Sequence, residues 1–259
     1  MDAYVSSQKI DLIQNPEQRE KQGNWLFQRR SFIPLIVIGI GGVLYVLLLH
    51  FNIISLYPWW VDCLFLGVGF FGLGIRIFTV GFTPKGTSGR NTNEGQIAET
   101  LNTKGIYSIV RHPLYVGNFF MWLAPVLMLK SFALIGLILI FFVLFYDRII
   151  FAEEQFLKRK FGQNYTEWFS KTPAVFPKFS LYQKSNLQFS IKNVLKREYN
   201  SFFSLVFTMT LIRIIGLSVT HQKLFLDTPW VIIISVSFII FITLKMIKKY
   251  TKILDVEGR

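Results

Sequence analysis

Long apolar runs constrain this chain more than any other feature of its sequence. Residues 32–49 contain no charged side chain, and residues 58–80, 202–219 and 229–244 form three further runs with at most two charged side chains each. A membrane has a hydrocarbon core about 30 Å thick, which a helix of roughly 20 apolar residues crosses. The chain also contains 27 Phe, and 52% of its residues are hydrophobic, which is typical of a polytopic membrane protein. We therefore predict an all-α fold, a bundle of helices in the membrane.

A fifth apolar region, residues 116–146, is too long for one crossing. As a straight helix it would extend roughly 46 Å at about 1.5 Å per residue, well beyond the hydrocarbon core. Pro125 can bend the helix, and Lys130 places a charge in its middle. We predict a helical hairpin with its turn at residues 129–132, which brings the number of membrane segments to about six.

The distribution of basic residues supports the hairpin. With it, 24 of the 28 Lys and Arg residues lie on one side of the membrane, and the other four are Lys130, Lys223, Arg76 and Arg213. Such an excess marks the cytoplasmic side, so we expect both termini to be cytosolic. The net charge of +13 predicts attraction to anionic membrane lipids. No basic stripe on a soluble module indicates a nucleic-acid partner.

Arg111, His112 and Pro113 stand at the start of the hairpin. Pro113 suits the first turn of a helix, where its missing N–H costs nothing. Arg111 and His112 then precede the backbone N–H groups of that helix, an arrangement that can bind an anion. The same residues, together with Tyr115, equally suit an interfacial membrane anchor.

Two adjacent carboxylates at the other end of the hairpin favour a site. Glu153 and Glu154 follow the second arm, and acidic groups so close to an apolar boundary require a partner or a polar cavity. Because the hairpin returns them to the side of Arg111 and His112, we expect the two clusters to meet. The alternative for Glu154 is a solvated helix in which it pairs with Lys158.

The segment from Gly67 to Gly72 spells the dinucleotide-binding pattern GxGxxG. That pattern requires a preceding strand and a backbone open to a pyrophosphate. Since this copy lies inside an apolar run, we interpret it, with Gly74, as a surface for close helix packing.

These motifs together resemble the isoprenylcysteine carboxyl methyltransferase and phospholipid methyltransferase superfamily of integral membrane methyltransferases. The resemblance covers roughly residues 80–180. Its pieces, in chain order, are Gly105-Ile106-Tyr107, Arg111-His112-Pro113-x-Tyr115-x-Gly117, Glu153-Glu154-x-x-Leu157, Phe161-Gly162-x-x-Tyr165, Pro173 and Pro177.

The resemblance implies an S-adenosylmethionine-dependent methyltransferase whose cofactor binds on the cytosolic side. The cofactor-binding positions that it implies are Tyr107, His112, Pro113, Leu114, Tyr115 and Glu153, with Leu101 and Asn102 from an aligned stretch. The catalytic, substrate-side positions that it implies are Arg111, Arg148 and Glu154. We expect no metal site, because the chain shows no cluster of metal ligands.

The expected acceptor is a lipidic molecule: a lipid phosphate, a phospholipid head group or an isoprenylcysteine-like carboxylate. A bacterial-type enzyme in the inner (cytoplasmic) membrane fits this expectation; the sequence leaves its oligomeric state open. The implied organisation is a cytosolic segment at 1–30, two membrane helices at 31–80, a methyltransferase core at 81–180 that contains the hairpin 116–147, and a linker with two further membrane helices at 181–259.

Two other functions are compatible with parts of the pattern. NADPH-dependent sterol-type reductases share the Arg-His-Pro-x-Tyr motif, but they typically carry an Arg-Asp pair and a cysteine before Tyr-Gly-x-x-Trp. Here Glu153, Glu154 and the Phe161-Gly162-x-x-Tyr165 segment stand in those places. A non-catalytic membrane scaffold or a transporter is the second alternative, supported by the charge of Arg213 within a membrane segment.

Overall fold

The computed structural model of the protein describes residues 15–30, 32–84, 86–87, 90–92 and 95–259. Its α-helices are α1 (Pro16–Gln28), α2 (Ile33–His50), α3 (Trp59–Gly81), α4 (Pro113–Leu127), α5 (Phe132–Lys171), α6 (Ile191–His221) and α7 (Thr228–Tyr250). A small antiparallel pair, β1 (Arg90–Thr92) and β2 (Gly95–Ile97), and two single-turn 3-10 helices, Ile106–Ser108 and Phe179–Leu181, complete the regular structure of these residues. The predicted all-α class is confirmed. The first 14 residues of the predicted segment 1–30 lie outside the described residues.

Six apolar helices coincide with the six predicted membrane segments. By length and composition, α3, α5, α6 and α7 could each cross a membrane, while α4 and the Ile36–His50 part of α2 are shorter. Large apolar side chains such as Phe132 and Leu137 are exposed on the outer faces of these helices. Exposed apolar surface of this extent is typical of contact with lipid.

The turn of the hairpin lies where the sequence predicts it. α4 ends at Leu127 and α5 begins at Phe132. Between them Lys130 takes a left-handed conformation, with φ of +51°. Ser131 is the N-cap residue of α5, and its hydroxyl accepts a hydrogen bond from the N–H of Leu134 at 3.4 Å.

Glycines bring α3 and α4 unusually close together. A Cβ atom on Gly72 would lie 2.5 Å from the carbonyl oxygen of Gly117, and one on Gly117 would lie 2.8 Å from that of Gly72. A Cβ atom on Gly69 would likewise collide with Leu205 of α6. The interpretation of this segment as a packing surface therefore holds for Gly69 and Gly72, whereas a Cβ atom on Gly67 or Gly74 would meet no other atom within 4 Å.

α5 continues far past its apolar part as an extension that carries α1. It spans 40 residues with a kink at Gly162, whose φ of +53° and ψ of −124° are not helical, so that helix continues beyond the predicted hairpin 116–147. Arg19 of α1 forms an ion pair with Asp147 at 2.7 Å. A Cβ atom on Gly23 would lie 2.1 Å from the carbonyl oxygen of Arg148, so only glycine permits this contact. We call the end of the bundle where α3 ends and α4 begins the site end, and the opposite end the far end.

A buried ion cluster ties three helices together at the far end. Arg213 of α6 donates to Asp62 of α3 at 2.9 Å, to Asp227 before α7 at 2.6 Å, and to the carbonyl oxygen of Tyr57 at 2.6 Å. The side chains of Arg213 and Asp62 are only 6% and 3% exposed. A buried charge is stable only when it is paired and hydrogen-bonded. The cluster therefore attaches α6 and α7 to the rest of the bundle.

The substitution Arg213→Leu should destabilise the protein strongly, because it leaves Asp62 buried without its cation. We expect the free energy of unfolding to fall by about 3–5 kcal/mol, measured by thermal unfolding in detergent. Lys196→Gln is the control, because Lys196 lies on the same helix as Arg213. This substitution breaks only a solvent-exposed ion pair with Asp255 and should leave the Tm unchanged. Equal Tm values for Arg213→Leu and the wild type would contradict this account.

Candidate active site

Backbone hydrogen bonds hold the segment before α4 in place. Gly105 has a φ of +63°, in the left-handed region that glycine favours. The N–H groups of Arg111 and His112 donate to the carbonyl oxygens of Pro173 and Ala174 at 2.9 and 3.1 Å. The chain that follows α5 thus fixes where the basic side chains of Arg111 and His112 begin.

Glu154 joins these two basic side chains. Its Oε1 accepts from Arg111 Nε at 3.0 Å and lies 3.0 Å from His112 Nε2. Since a carboxylate only accepts hydrogen bonds, His112 Nε2 carries a proton. Arg111 also donates to the carbonyl oxygens of Phe169 and Thr172 near the end of α5. The two clusters that flank the hairpin therefore meet. Glu154 pairs with Arg111 and His112, which lie on another segment of the chain, as the site interpretation predicts.

The charge of Glu154 is stabilised by these partners. Burial alone would raise the pKa of Glu154, but the hydrogen bond and charge of His112, with the charge of Arg111, lower the pKa below its ordinary value. The carboxylate is therefore ionised at neutral pH and can hold both basic side chains in position.

Glu153, the neighbouring carboxylate, lines a cavity. It is 5% exposed, accepts a hydrogen bond from the Tyr115 hydroxyl at 2.9 Å, and lies 3.7 Å from His112 Nδ1. Burial, with the nearby charge of Glu153, raises the pKa of Tyr107, so its phenol stays protonated and can donate. The pocket thus combines a buried carboxylate with neutral aromatic hydroxyls.

The cavity at the site end, which we call the polar cavity, has a volume of about 310 Å³, within the range of ligand pockets. Nine of the eleven predicted site residues line it: Leu101, Asn102, Tyr107, Arg111, His112, Pro113, Leu114, Tyr115 and Glu153. The motifs do not include several other lining residues, among them Arg30, Arg76, Asn118, Tyr146, Trp168, Arg197 and Glu198.

The other two predicted residues are not among those that line the polar cavity. Glu154 lies behind its wall, where it holds Arg111 and His112. Arg148 bonds to its neighbour Asp147 at 3.3 Å, and its backbone contacts α1. Besides Arg111, the arginines that line the cavity are Arg30, which follows α1, Arg76 of α3 and Arg197 of α6.

A second, larger cavity lies beside the first, within the membrane helices. This apolar cavity has a volume of about 760 Å³. Four residues, Arg30, Arg76, Asn118 and Tyr146, line both cavities and form a shared wall. In the sequence, only its charge near the end of a membrane segment could have marked Arg76 as a functional residue. The residues that it contacts lie far from it along the chain.

Arg76 is fixed in this shared wall by residues of two other helices. It donates to both carboxylate oxygens of Glu198 on α6, at 2.8 and 2.9 Å. It also donates to Asn118 of α4 at 2.6 Å. A bidentate arrangement of this kind combines strength with a defined geometry, so the junction between the cavities is a rigid, polar element.

Comparisons with known proteins show which sequences the chain is similar to. A family model described as "Phospholipid methyltransferase" matches residues 63–164. The chain is 40% identical to "Protein-S-isoprenylcysteine O-methyltransferase" of Xenopus laevis, over 33% of this chain and 30% of that protein. No solved structure matches the chain.

Two relatives carry names of another kind. The chain is 38% identical to "Cobalt-zinc-cadmium resistance protein CzcN" of Cupriavidus metallidurans, over 48% of this chain and 54% of that protein. It is 33% identical to "Nickel-cobalt-cadmium resistance protein NccN" of Alcaligenes xylosoxydans xylosoxydans, over 60% of this chain and 71% of that protein. The match thus spans about half the length of the first of these and more than two thirds of the second. Within the residues that the structure describes, no three His, Cys, Asp or Glu side chains form a group that could hold a metal ion.

Glu154→Gln should destabilise the protein at neutral pH, because the amide is a weaker partner for Arg111 and His112. We expect a loss of roughly 2 kcal/mol in the free energy of unfolding, the usual contribution of hydrogen bonds to a charged group. Since the folded-state pKa of Glu154 is lowered from 4.5, its contribution is complete above pH 4.5 and is lost as the pH falls through the folded-state pKa.

Thermal unfolding of the wild type and the variant between pH 3 and pH 7 tests this. The difference in Tm should be largest at neutral pH and shrink in acid, while Glu167→Gln, on the exposed side of the same helix, should follow the wild type throughout. A difference in Tm that does not change with pH would refute the proposed role of the Glu154 charge.

Proposed function

We propose that this chain, which belongs to the isoprenylcysteine carboxyl methyltransferase and phospholipid methyltransferase superfamily of integral membrane methyltransferases, transfers a methyl group from S-adenosylmethionine to a lipidic acceptor. The observation that carries this proposal is the pair of adjoining cavities. A polar cavity at the site end and an apolar cavity among the membrane helices share one wall. A water-soluble methyl donor and a lipid can thereby reach the same point from different sides.

The residues of the polar cavity fit S-adenosylmethionine. This molecule is a sulfonium cation with an ammonium group, a carboxylate and an adenine ring, and when bound it supplies an electrophilic methyl group. Glu153 would hold a positive group, and the hydroxyls of Tyr107 and Tyr115 would orient polar atoms. The positive end of α4, which begins at Pro113, would attract a carboxylate. Trp168 offers an aromatic surface in the same wall.

The role of the protein in such a reaction is mainly to position the reactants and exclude water. Methyl transfer is an in-line displacement: the acceptor atom forms the new bond to carbon, and the electron pair of the broken bond stays on sulfur. Correct alignment of two bound reactants accounts for a large share of the rate in such reactions. Arg76 and Asn118, held rigidly at the junction, would position the reacting end of the acceptor.

We further propose that the site end faces the cytosol of a bacterial cell, with both termini on that side. What supports this is the excess of Lys and Arg on the segments at that end, because basic loops stay cytosolic. The proposed membrane is the inner (cytoplasmic) membrane, where S-adenosylmethionine is available from the cytosol.

Glu153→Gln should weaken the binding of S-adenosylmethionine by about tenfold or more, because it removes the buried carboxylate that faces a cationic ligand. Isothermal titration calorimetry on the purified protein in detergent measures this. Glu167→Gln is the matched control on the same helix, and it should bind as the wild type does. Binding of NADPH in preference to S-adenosylmethionine would overturn the proposed function.

A further inference from the structure

The wall that α6 contributes to the apolar cavity contains a line of polar side chains. Asn200, Ser204 and Thr208 all line this cavity. They recur every four residues, so they lie on one face of the helix, over roughly 12 Å at about 1.5 Å per residue. The opposite wall, from α2 and α4, is formed mostly by glycine and large apolar side chains such as Val43 and Trp122.

These three side chains make no hydrogen bond to the protein in the part of the chain that the structure describes. Hydroxyl groups inside helices can bond to the carbonyl oxygen four residues earlier, and Thr210 and Thr220 of the same helix do so. Ser204 and Thr208 line the cavity and make no such bond. Because hydrocarbon cannot accept hydrogen bonds, an occupant with an acceptor beside these hydroxyls binds more favourably than one that offers only hydrocarbon.

The end of the apolar cavity nearest the polar cavity is cationic. Arg30 and Arg76 line it there, and none of the described residues that line it is an Asp or a Glu. Glu198 neutralises part of this charge from the other side of the wall, where it holds Arg76 at 2.8 Å. Charge complementarity therefore favours an occupant with an anionic head.

We infer that the acceptor is an anionic lipid with carbonyl groups in its linkage. Its oxyanion lies at Arg30 and Arg76, its ester or amide carbonyls accept hydrogen bonds from Ser204 and Thr208, and its chains fill the apolar remainder of the cavity. An isoprenoid phosphate offers nothing to these hydroxyls, since its chain is hydrocarbon from the phosphate onward. This inference rests on the proposed function and selects among the lipid classes that the proposed function allows.

The selectivity would then reside outside the part of the chain that is shared with the family. The family model matches residues 63–164, whereas Ser204 and Thr208 lie on α6, which begins at Ile191. Side chains of α6 would determine which acceptor binds, while residues of α4 and α5 would bind the methyl donor.

Lipid binding to the full-length protein tests the inference without requiring methyl transfer. The probes are dioleoyl phosphatidic acid, its diether analogue, farnesyl phosphate and N-oleoylglycine, titrated by native mass spectrometry. The first two differ only in ester carbonyls, and the last has an amide and a carboxylate, so it separates carboxylate from phosphate recognition. We expect the ester lipid to bind about fivefold or more tightly than the diether, as one or two net hydrogen bonds allow.

Variants of α6 locate the effect. Thr208→Val and Ser204→Ala should each reduce the preference for the ester lipid and leave binding of the diether unchanged. Thr208→Ser keeps the hydroxyl and should keep the preference. Thr210→Val is the matched control, because Thr210 is bonded to Val206 within the helix and does not line the cavity.

The outcomes separate this inference from the proposed function. Equal binding of ester and diether lipids, or tighter binding of farnesyl phosphate, overturns the inference. An effect of Thr210→Val as large as that of Thr208→Val overturns it as well. Calorimetry with S-adenosylmethionine on the same preparation tests the proposed function: absence of binding refutes that function and with it the acceptor role of the lipid, whatever the lipid preference.

Discussion

Two adjacent glutamates on α5 hold the start of α4 in place, and the site depends on them. Glu154 turns toward the protein and fixes Arg111 and His112, while Glu153 turns toward the polar cavity and accepts from Tyr115. Neighbouring residues on a helix point in directions about 100° apart, so one carboxylate supports the wall and the other lines the pocket. The motif around Arg111 therefore lines the polar cavity and is tied to α5, which favours the interpretation as a site over that of a membrane anchor alone.

The membrane adds a second constraint, because polar groups within it must find partners in the protein or in a ligand. Two arginines meet this requirement in different ways. Arg213 is enclosed by acidic partners at the far end and ties α6 to α3. Arg76 is also paired, with Glu198, but it lines two cavities. The ion pairs of Arg213 therefore attach α6 to α3. The ion pair of Arg76 with Glu198 lies at the junction where a methyl donor and a lipid could meet.

Much of the fold was predictable from local sequence. Apolar runs marked the membrane helices, and Lys130 marked the turn of the hairpin. The residues that line the polar cavity were harder to predict from the sequence. The motifs identified residues that lie near one another in the chain or at the two ends of the hairpin. They did not identify Arg30, Arg76 or Glu198. Those side chains reach the cavity from separate helices, and no spacing in the sequence relates them. Arg148, predicted beside the substrate, lies against α1 because the extension of α5 turns that face away from the cavity.

The sequence by itself determined the class of the protein, the hairpin and the residue types that meet at its mouth, since hydrophobic length, proline and charge act locally or across one membrane thickness. The tertiary structure alone decided which helices stand next to one another. The glycine contact between Gly72 and Gly117 brings α3 against α4, and Glu198 brings α6 to Arg76. These packing contacts form the wall between the two cavities, because shape and ion pairing between distant segments depend on three-dimensional proximity, which local pattern does not encode.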